Sequence, residues 1–301
     1  MPLGWLSPLA LLVIAALLAL LVGMSLGLLG GGGSILTLPL LVYVVGLEPK
    51  SAIAASLIVV GFTSATALVA HARARRVRWR VGGFFGAAGM AGAYAGGIIG
   101  RHVPATLLLA GFGLVMLAAS LAMMRPRPEP ALAAPVSHVP AVKVLSVGAL
   151  VGVVAGLLGA GGGFLIVPAL AVLTGLGIAE AIGTSLLVIT MQSLAGFLGN
   201  VGHVSVNVPV VLVVTLAAVA GSLIGARLSV RISAASLRRG FAWFVLAIGV
   251  LFLVKQMPSA ARAWLALHPA GWSVVVAAIV ALLSSALRMQ RSVQRQQEAF
   301  R

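Results

Sequence analysis

Hydrophobic residues fill this chain in long blocks, and short polar or charged stretches separate the blocks. A transmembrane helix needs about 20 apolar residues to cross a hydrocarbon core about 30 Å thick. The pattern predicts eleven candidate membrane segments, at residues 8–28, 33–47, 52–70, 81–100, 104–123, 143–159, 162–177, 180–199, 207–226, 238–255 and 271–288. The second and seventh of these segments are short and contain Pro39 and Pro168. Each is therefore either a broken helix or a re-entrant segment that does not cross the membrane.

Two glycine-rich runs interrupt the apolar blocks. They consist of Gly30, Gly31, Gly32, Gly33 and Ser34 in the first run, and of Gly159, Ala160, Gly161, Gly162 and Gly163 in the second. Each glycine in a helix interior costs about 1 kcal/mol relative to alanine. We therefore interpret each run as a deliberate break in a membrane helix.

The two halves of the chain repeat at a fixed offset of 129 residues, the distance from Pro39 to Pro168. The register holds without a gap from residue 23 to residue 112. We interpret it as an internal duplication of about five segments per copy. The same offset relates Gly30 to Gly159, Ser56 to Ser185, Gly92 to Gly221 and Phe112 to Phe241.

The positive charges favour one orientation of the two copies. If each copy crosses the membrane five times, 16 Lys and Arg residues fall on one side and 4 on the other. If the Pro39 and Pro168 segments do not cross, the two sides are nearly balanced. Because cytoplasmic loops carry the excess of Lys and Arg, the pattern predicts inverted copies, an external N-terminus and a cytoplasmic C-terminus.

The predicted fold class is an all-α polytopic membrane protein with two inverted five-segment repeats, Gly/Pro-interrupted helices and one extra C-terminal transmembrane helix. Its parts are transmembrane repeat 1 (residues 1–123), a Pro-rich cytoplasmic linker (124–142), transmembrane repeat 2 (143–257), and the extra helix with a basic cytoplasmic tail (258–301). The basic tail lies on anionic lipid or is simply solvated.

The composition fits this fold class. Hydrophobic residues make up 61% of the chain and charged residues 8%, against about 45–50% and about 25% in soluble domains. The net charge of +16 would indicate nucleic-acid binding in a soluble protein. Here the basic residues lie in short loops between apolar segments, where they act as topology signals. The absence of cysteine excludes disulfides, thiolate metal sites and cysteine nucleophiles.

The pattern G-L-L-G-x-G-G, followed by P-x-L and then Gly-Leu, occurs once in each copy. With this duplicated pattern, the chain resembles the sulfite exporter TauE/SafE family over about residues 8–255. The resemblance implies a transporter in the bacterial inner membrane that exports or takes up small anions, notably sulfite and organosulfonates. Many members of the family have no assigned substrate.

The glycine runs also predict a binding site on physical grounds. Broken helices at matching points of two inverted copies indicate a transporter site near the membrane midplane. A helix that restarts after glycines presents free N–H groups and the positive end of its dipole. We predict that the runs from Gly30 to Ser34 and from Gly159 to Gly163 bind the oxygens of a small anion. The alternative is that these glycines only allow close helix packing.

Polar side chains on the third segment of each copy are further candidates. Among them we predict that Ser56, Ser185 and Gln192 contact the substrate. The alternative for the hydroxyls is a bond to their own helix carbonyls. His71 and His203 are candidates for proton coupling or are simply interfacial histidines. The wider set is Ser56, Thr63, Ser64 and Thr66 in the first copy, and Thr184, Ser185, Gln192 and Ser193 in the second.

The leading functional hypothesis is a secondary transporter of small anions that works by alternating access. The alternatives are a transporter of another small organic anion or metabolite, and a non-transport membrane assembly protein. No G-x-x-x-x-G-K-[ST] motif occurs, and no segment offers a nucleophile with a base, so we expect no ATP-driven transport and no enzyme. We expect no cofactor. The G-x-x-x-G faces starting at Gly92 and Gly221 pack helices within one molecule or form a homo-oligomer.

Overall fold

The computed structural model describes residues 8–31, 33–124, 141–159, 162–174, 176–200, 207–228 and 234–256. The described residues form ten α-helices and no strand. They follow the first ten predicted segments in order, while the Pro-rich linker at 125–140 and the eleventh segment lie outside the described residues. The helices are α1 (Pro8–Leu29), α2 (Ser34–Pro39), α3 (Pro49–Arg73), α4 (Trp79–His102), α5 (Ala105–Met124), α6 (Ala141–Leu158), α7 (Gly163–Thr174), α8 (Ile178–Asn200), α9 (Val208–Leu228) and α10 (Ala234–Gln256).

Both predicted helix breaks are confirmed. The first separates α1 from α2, and the second separates α6 from α7. Gly30 and Gly159, which are equivalent in the two copies, have φ values of +66° and +65°. This left-handed conformation is one that glycine adopts without a steric penalty. The chain therefore leaves the first helix of each copy through the same backbone turn.

The helices that follow the breaks are short. A π-helical turn at Leu40–Val44 extends α2, and the combined segment Ser34–Val44 has the length of a short apolar helix. Pro39 lies at this junction, where its missing N–H interrupts the α-helical ladder. The helix α7 has 12 residues, which at 1.5 Å per residue is about 18 Å. Neither segment is long enough to cross the membrane by itself.

Some of the other helices have the length and composition of membrane-spanning helices. Four helices among the described residues are long and apolar enough to span a bilayer, at Ala10–Leu29, Pro49–Arg73, Ala179–Asn200 and Val208–Leu228. Many large apolar side chains are exposed, as Phe84 is at 67%, although others such as Phe85 are buried, and the polar Ser56 and Gln192 are fully buried. Exposed apolar and buried polar side chains are expected where lipid surrounds the helices, because apolar surface gains nothing there by being buried.

The predicted G-x-x-x-G faces pack helices within the molecule. In α4, Gly92 and Gly96 lie against the backbone of α6, and a Cβ added to either would come within 2.1 and 2.3 Å of the carbonyl oxygens of Ala149 and Val153. The equivalent glycines of α9 lie against α1 in the same way. The intramolecular alternative for these faces is therefore confirmed. Since residue numbers rise together along both partners, α4 runs parallel to α6.

The helices α3 and α8, the third segments of the two copies, pack on each other and run antiparallel. Leu57 of α3 lies beside Gly196 of α8, while Gly61, one turn further along α3, lies beside Ser193. The helix α8 also packs along α4, and α3 packs along α9. These contacts place α3 and α8 between the pairs α4–α6 and α1–α9.

The described helices belong to two compact units. One contains α1 to α4, the start of α5, and α6 to α9. The other contains the rest of α5 and α10, where Phe112 and Phe252 pack with their ring centroids 5.4 Å apart. All candidate residues discussed below lie in the first unit.

Candidate functional site

The two helix breaks touch each other. A Cβ added to Gly163 would lie 2.5 Å from the Cα of Gly31, and a Cβ added to Gly31 would lie 2.6 Å from the Cα of Gly163. Such separations leave room only for glycine on both sides. The structure therefore brings together the two glycine runs that the sequence predicted to form one site. Gly32 and Gly161 belong to the same runs and lie outside the described residues.

A buried serine from each copy holds the break of the other copy. The hydroxyl of Ser56 donates to the carbonyl oxygen of Gly159 at 2.7 Å, and the hydroxyl of Ser185 donates to the carbonyl oxygen of Gly30. Each serine also lies 2.7 Å from a carbonyl of its own helix. Because a hydroxyl has a single hydrogen, each serine donates at any moment either to the break of the other copy or to its own helix. Direct contact with a substrate stays a prediction for both.

The side chain of Gln192 lies between the second break and α4. Its Oε1 is 3.2 Å from the position of a Cβ on Gly162, and its Nε2 is 2.0 Å from the position of a Cβ on Gly89. The side chain is fully buried, and within the described part of the chain neither amide atom has a hydrogen-bond partner. An unsatisfied buried polar group costs about 1–3 kcal/mol. The fold therefore maintains this amide at a cost beside the start of α7.

Three further buried hydroxyls have no partner among the described residues, those of Thr37, Ser64 and Ser193. Ser64 and Ser193 are equivalent in the two copies, and Ser193 lies where α3 crosses α8. Thr37 on α2 was missed by the sequence reasoning. Its equivalent in the second copy is Ile166, so the duplication did not draw attention to it. The available signal was a second hydroxyl, after that of Ser34, in an otherwise apolar short helix.

The threonines of α3 bond to carbonyls of their own helix, which is the alternative to substrate contact. Thr63 donates to the carbonyl of Val59 at 2.5 Å, and Thr66 donates to the carbonyl of Phe62 at 2.8 Å. Both bonds lie within their own helix, as membrane helices commonly allow. On α8, Thr184 accepts a bond of 3.0 Å from the backbone N–H of Arg78. These three hydroxyls therefore have partners within the protein.

His71 and its counterpart in the second copy make the same contact. The Nε2 of His71 lies 3.2 Å from the carbonyl oxygen of Gly27, and the Nδ2 of Asn200 lies 3.4 Å from that of Gly156. Both pairs are related by the 129-residue offset. An asparagine does not titrate, so the shared contact is one of positioning. Proton coupling through His71 stays a prediction, and His203 lies outside the described residues.

An ion pair ties the turn between α3 and α4 to the start of α8. The Nη2 of Arg78 donates to Oε1 of Glu180 at 2.7 Å. This hydrogen bond raises the pKa of the Arg78 guanidinium above its ordinary value. Both side chains are partly exposed, so the pair fixes geometry more than it adds stability. Among the described residues, no cluster of three metal-ligating side chains occurs.

The helices and the paired breaks define a polytopic helical membrane protein with the features of a transporter. The comparison with protein families gives the particular family. The chain belongs to the sulfite exporter TauE/SafE family, whose model matches residues 15–252. The resemblance predicted from the duplicated glycine motif is therefore confirmed, and the chain is a membrane transporter of this family.

Relatives in distant organisms carry the same general description. A "Probable membrane transporter protein" from Xylella fastidiosa strain Temecula1 is 38% identical over 247 residues, covering 79% of this chain and 94% of the relative. The "Probable membrane transporter protein MJ0441" from Methanocaldococcus jannaschii is 24% identical, covering 73% of this chain and 89% of the relative. The "Probable membrane transporter protein YdhB" from Bacillus subtilis is 26% identical, covering 70% and 87%. No solved structure gives a significant match.

Proposed function

We propose that this transporter carries a small anion, sulfite or an organosulfonate, and binds it where the two helix breaks meet. The observation that carries the proposal is the Gln192 amide, fully buried and without a partner in the described part of the chain, next to Gly162 at the start of α7. The substrate class follows from the description of the family. Another small organic anion or metabolite is the alternative.

The binding chemistry uses backbone and amide donors without a buried cation. The N–H groups of Leu165 and Ile166 in α7 donate to the carbonyl of Gly162. Only the first two N–H groups of the helix are then left for a ligand, and the helix dipole makes this end positive. Gln192 lies close enough to Gly162 to act on the same ligand. If the side-chain amide of Gln192 rotates by 180°, its nitrogen and oxygen exchange places. The NH₂ group, which has two donor hydrogens, then faces the break. A bound anion then satisfies groups that lack partners without it.

The directions of the helices support inverted repeats. The equivalent helices α3 and α8 run antiparallel, as the pairs Leu57–Gly196 and Gly61–Ser193 indicate. A two-fold axis that exchanges antiparallel helices is perpendicular to them, so in a membrane-spanning bundle it lies in the membrane plane. Repeats related in this way place their shared site near the midplane. Rocking one repeat against the other would then open the site to each side in turn.

The C-terminal ends of α1 and α3 lie together, which supports the predicted number of crossings. His71, in the last turn of α3, contacts Gly27, near the end of α1. The chain must therefore return from the end of α1 to the start of α3. Residues 30–48, which include α2, make this return, so the broken segment reverses the chain direction although its helix is short. This agrees with five crossings per copy and an external N-terminus.

The test is counterflow of sulfite, sulfoacetate and thiosulfate in proteoliposomes, with Gln192→Leu as the decisive variant. We expect the variant to lose about 10- to 100-fold in transport, because hydrogen bonds to a charged ligand contribute about 1.5–3 kcal/mol. We also expect its thermal midpoint to be unchanged or higher, since leucine removes an unsatisfied buried amide. The matched control is Thr66→Val, whose hydroxyl only bonds its own helix.

Three outcomes would count against the proposal. One is full transport of these anions by Gln192→Leu, which would remove the amide from the binding site. Another is the absence of flux for every anion by the wild-type protein at any pH, which would favour a different substrate or a non-transport assembly role. A loss of transport with a lowered thermal midpoint would count against the proposal too, because it would give Gln192 a structural role.

A further inference from the structure

We propose that a basic cavity at one end of α3, α4 and α8 is a second anion-binding site, a vestibule that receives an organic anion before it reaches the helix breaks. This inference builds on the proposed function. The cavity has a volume of about 440 Å³, within the usual range of small-molecule pockets. Its lining includes Lys50, Arg101, His102, Asn200, Ile53 and Leu108.

The vestibule combines two cations and has no carboxylate among its lining residues. The Nζ of Lys50 donates to the carbonyl oxygen of Arg101 at 2.7 Å, and the Nε of Arg101 donates to the carbonyl oxygen of Gly199 at 2.7 Å. These bonds hold the two side chains in place and use only part of their donors, since lysine has three and arginine five. The remaining donors have no partner among the described residues and are available to an anion.

The position of Lys50 is unfavourable for its own helix, although its Nζ bonds a carbonyl in the last turn of α4. Lys50 is the second residue of α3, where the positive end of the helix dipole opposes a cation. The equivalent residue in the second copy is Ala179, so the duplicated fold does not require a lysine here. The bond to the carbonyl of Arg101 compensates part of this cost, and a negative ligand in the cavity would compensate it further.

A single layer of residues separates the vestibule from the second helix break. Ile53 lines the cavity, and its Cα lies 2.9 Å from the position of a Cβ on Gly159. Asn200 also lines the cavity while its amide holds the carbonyl of Gly156, near the end of α6. An anion in the vestibule is therefore next to the backbone that leads into the Gly31–Gly163 contact.

The lining favours an organic anion over a purely inorganic one. Lys50 and Arg101 supply charge, whereas Ile53 and Leu108 supply an apolar wall. A short carbon chain that ends in a sulfonate or carboxylate can use both surfaces, while sulfite can use only the charged part. We therefore expect sulfoacetate to bind the vestibule more tightly than sulfite.

Equilibrium binding of sulfoacetate to the purified full chain tests the vestibule independently of transport. We expect Lys50→Gln to weaken binding about tenfold, the effect of losing one charge-assisted hydrogen bond, and Lys50→Arg to retain it. Thr66→Val should leave this binding in place, since its hydroxyl bonds its own helix and does not line the cavity. Unchanged binding in both Lys50→Gln and Arg101→Gln would overturn the proposal, and so would equal losses in Lys50→Gln and Lys50→Arg.

Sided transport gives the second readout. In vesicles of known orientation, Lys50→Gln should raise KM for sulfoacetate entering from the face of Lys50 and leave KM from the opposite face unchanged. An equal rise from both faces would overturn the vestibule. A wild-type protein that binds sulfoacetate through Lys50 but transports no anion would refute the proposed function and support the vestibule, so the two failures are distinguishable.

Discussion

Replacing Gly163 by alanine tests the contact between the two helix breaks most directly. The new Cβ would lie 2.5 Å from the Cα of Gly31 and 2.6 Å from Cδ1 of Ile189. The isoleucine can rotate away, but the backbone of Gly31 cannot. Ordinary contact begins at about 3.4 Å, so the two breaks must separate by about 0.9 Å. Overpacking of this kind costs about 1–3 kcal/mol, and it moves the proposed donors away from the anion.

We expect Gly163→Ala to lower the thermal midpoint in detergent and to reduce anion counterflow more than tenfold, as a ligand site displaced by about 1 Å does. Gly83→Ala is the matched control, because a Cβ at Gly83 meets no atom within 4 Å. In α4 it should leave transport intact and stabilise the helix by up to about 1 kcal/mol. If Gly163→Ala behaved like this control, the reasoning from close contact of the breaks would be refuted.

Two other substitutions probe the groups around the breaks. His71→Asn should retain transport and its pH dependence, because asparagine can keep the bond to the carbonyl of Gly27, as Asn200 keeps the equivalent bond to Gly156 in the second copy. Loss of the pH dependence in flux assays would instead support proton coupling. Ser185→Ala should lower the thermal midpoint, since it leaves the carbonyl of Gly30 unsatisfied at a cost of about 1–3 kcal/mol. An unchanged midpoint would contradict a stabilising bond between Ser185 and Gly30.

The features that the sequence predicted are those with a local signal. Four glycines in an apolar block are costly for a helix, so the break before Ser34 could be located within a residue or two. The register between Pro39 and Pro168 identified the second break by repetition. The G-x-x-x-G pattern of Gly92 and Gly96 indicated close packing, and its partner proved to be α6 of the same chain.

The features that the sequence could not predict depend on contacts between the copies. Nothing near Ser56 shows that its hydroxyl reaches Gly159, 103 residues away. The same holds for Gln192, which looks like any polar residue in a membrane helix until its amide is found buried without a partner in the described structure. Propensity and periodicity describe one helix at a time, whereas these properties arise only where helices from both copies meet.

The duplication itself separates scaffold from function. Where equivalent residues make equivalent contacts, as Ser56 and Ser185 do, the contact maintains the fold shared by both copies. A residue that departs from its equivalent and makes no such contact has no scaffold role to explain it. Gln192 is this case, because its counterpart Thr63 bonds its own helix while the amide of Gln192 has no partner in the described part of the chain. The function of a duplicated transporter is therefore best sought where its copies differ. Lys50, whose counterpart is Ala179, is such a difference at the vestibule, although its Nζ also bonds the carbonyl of Arg101.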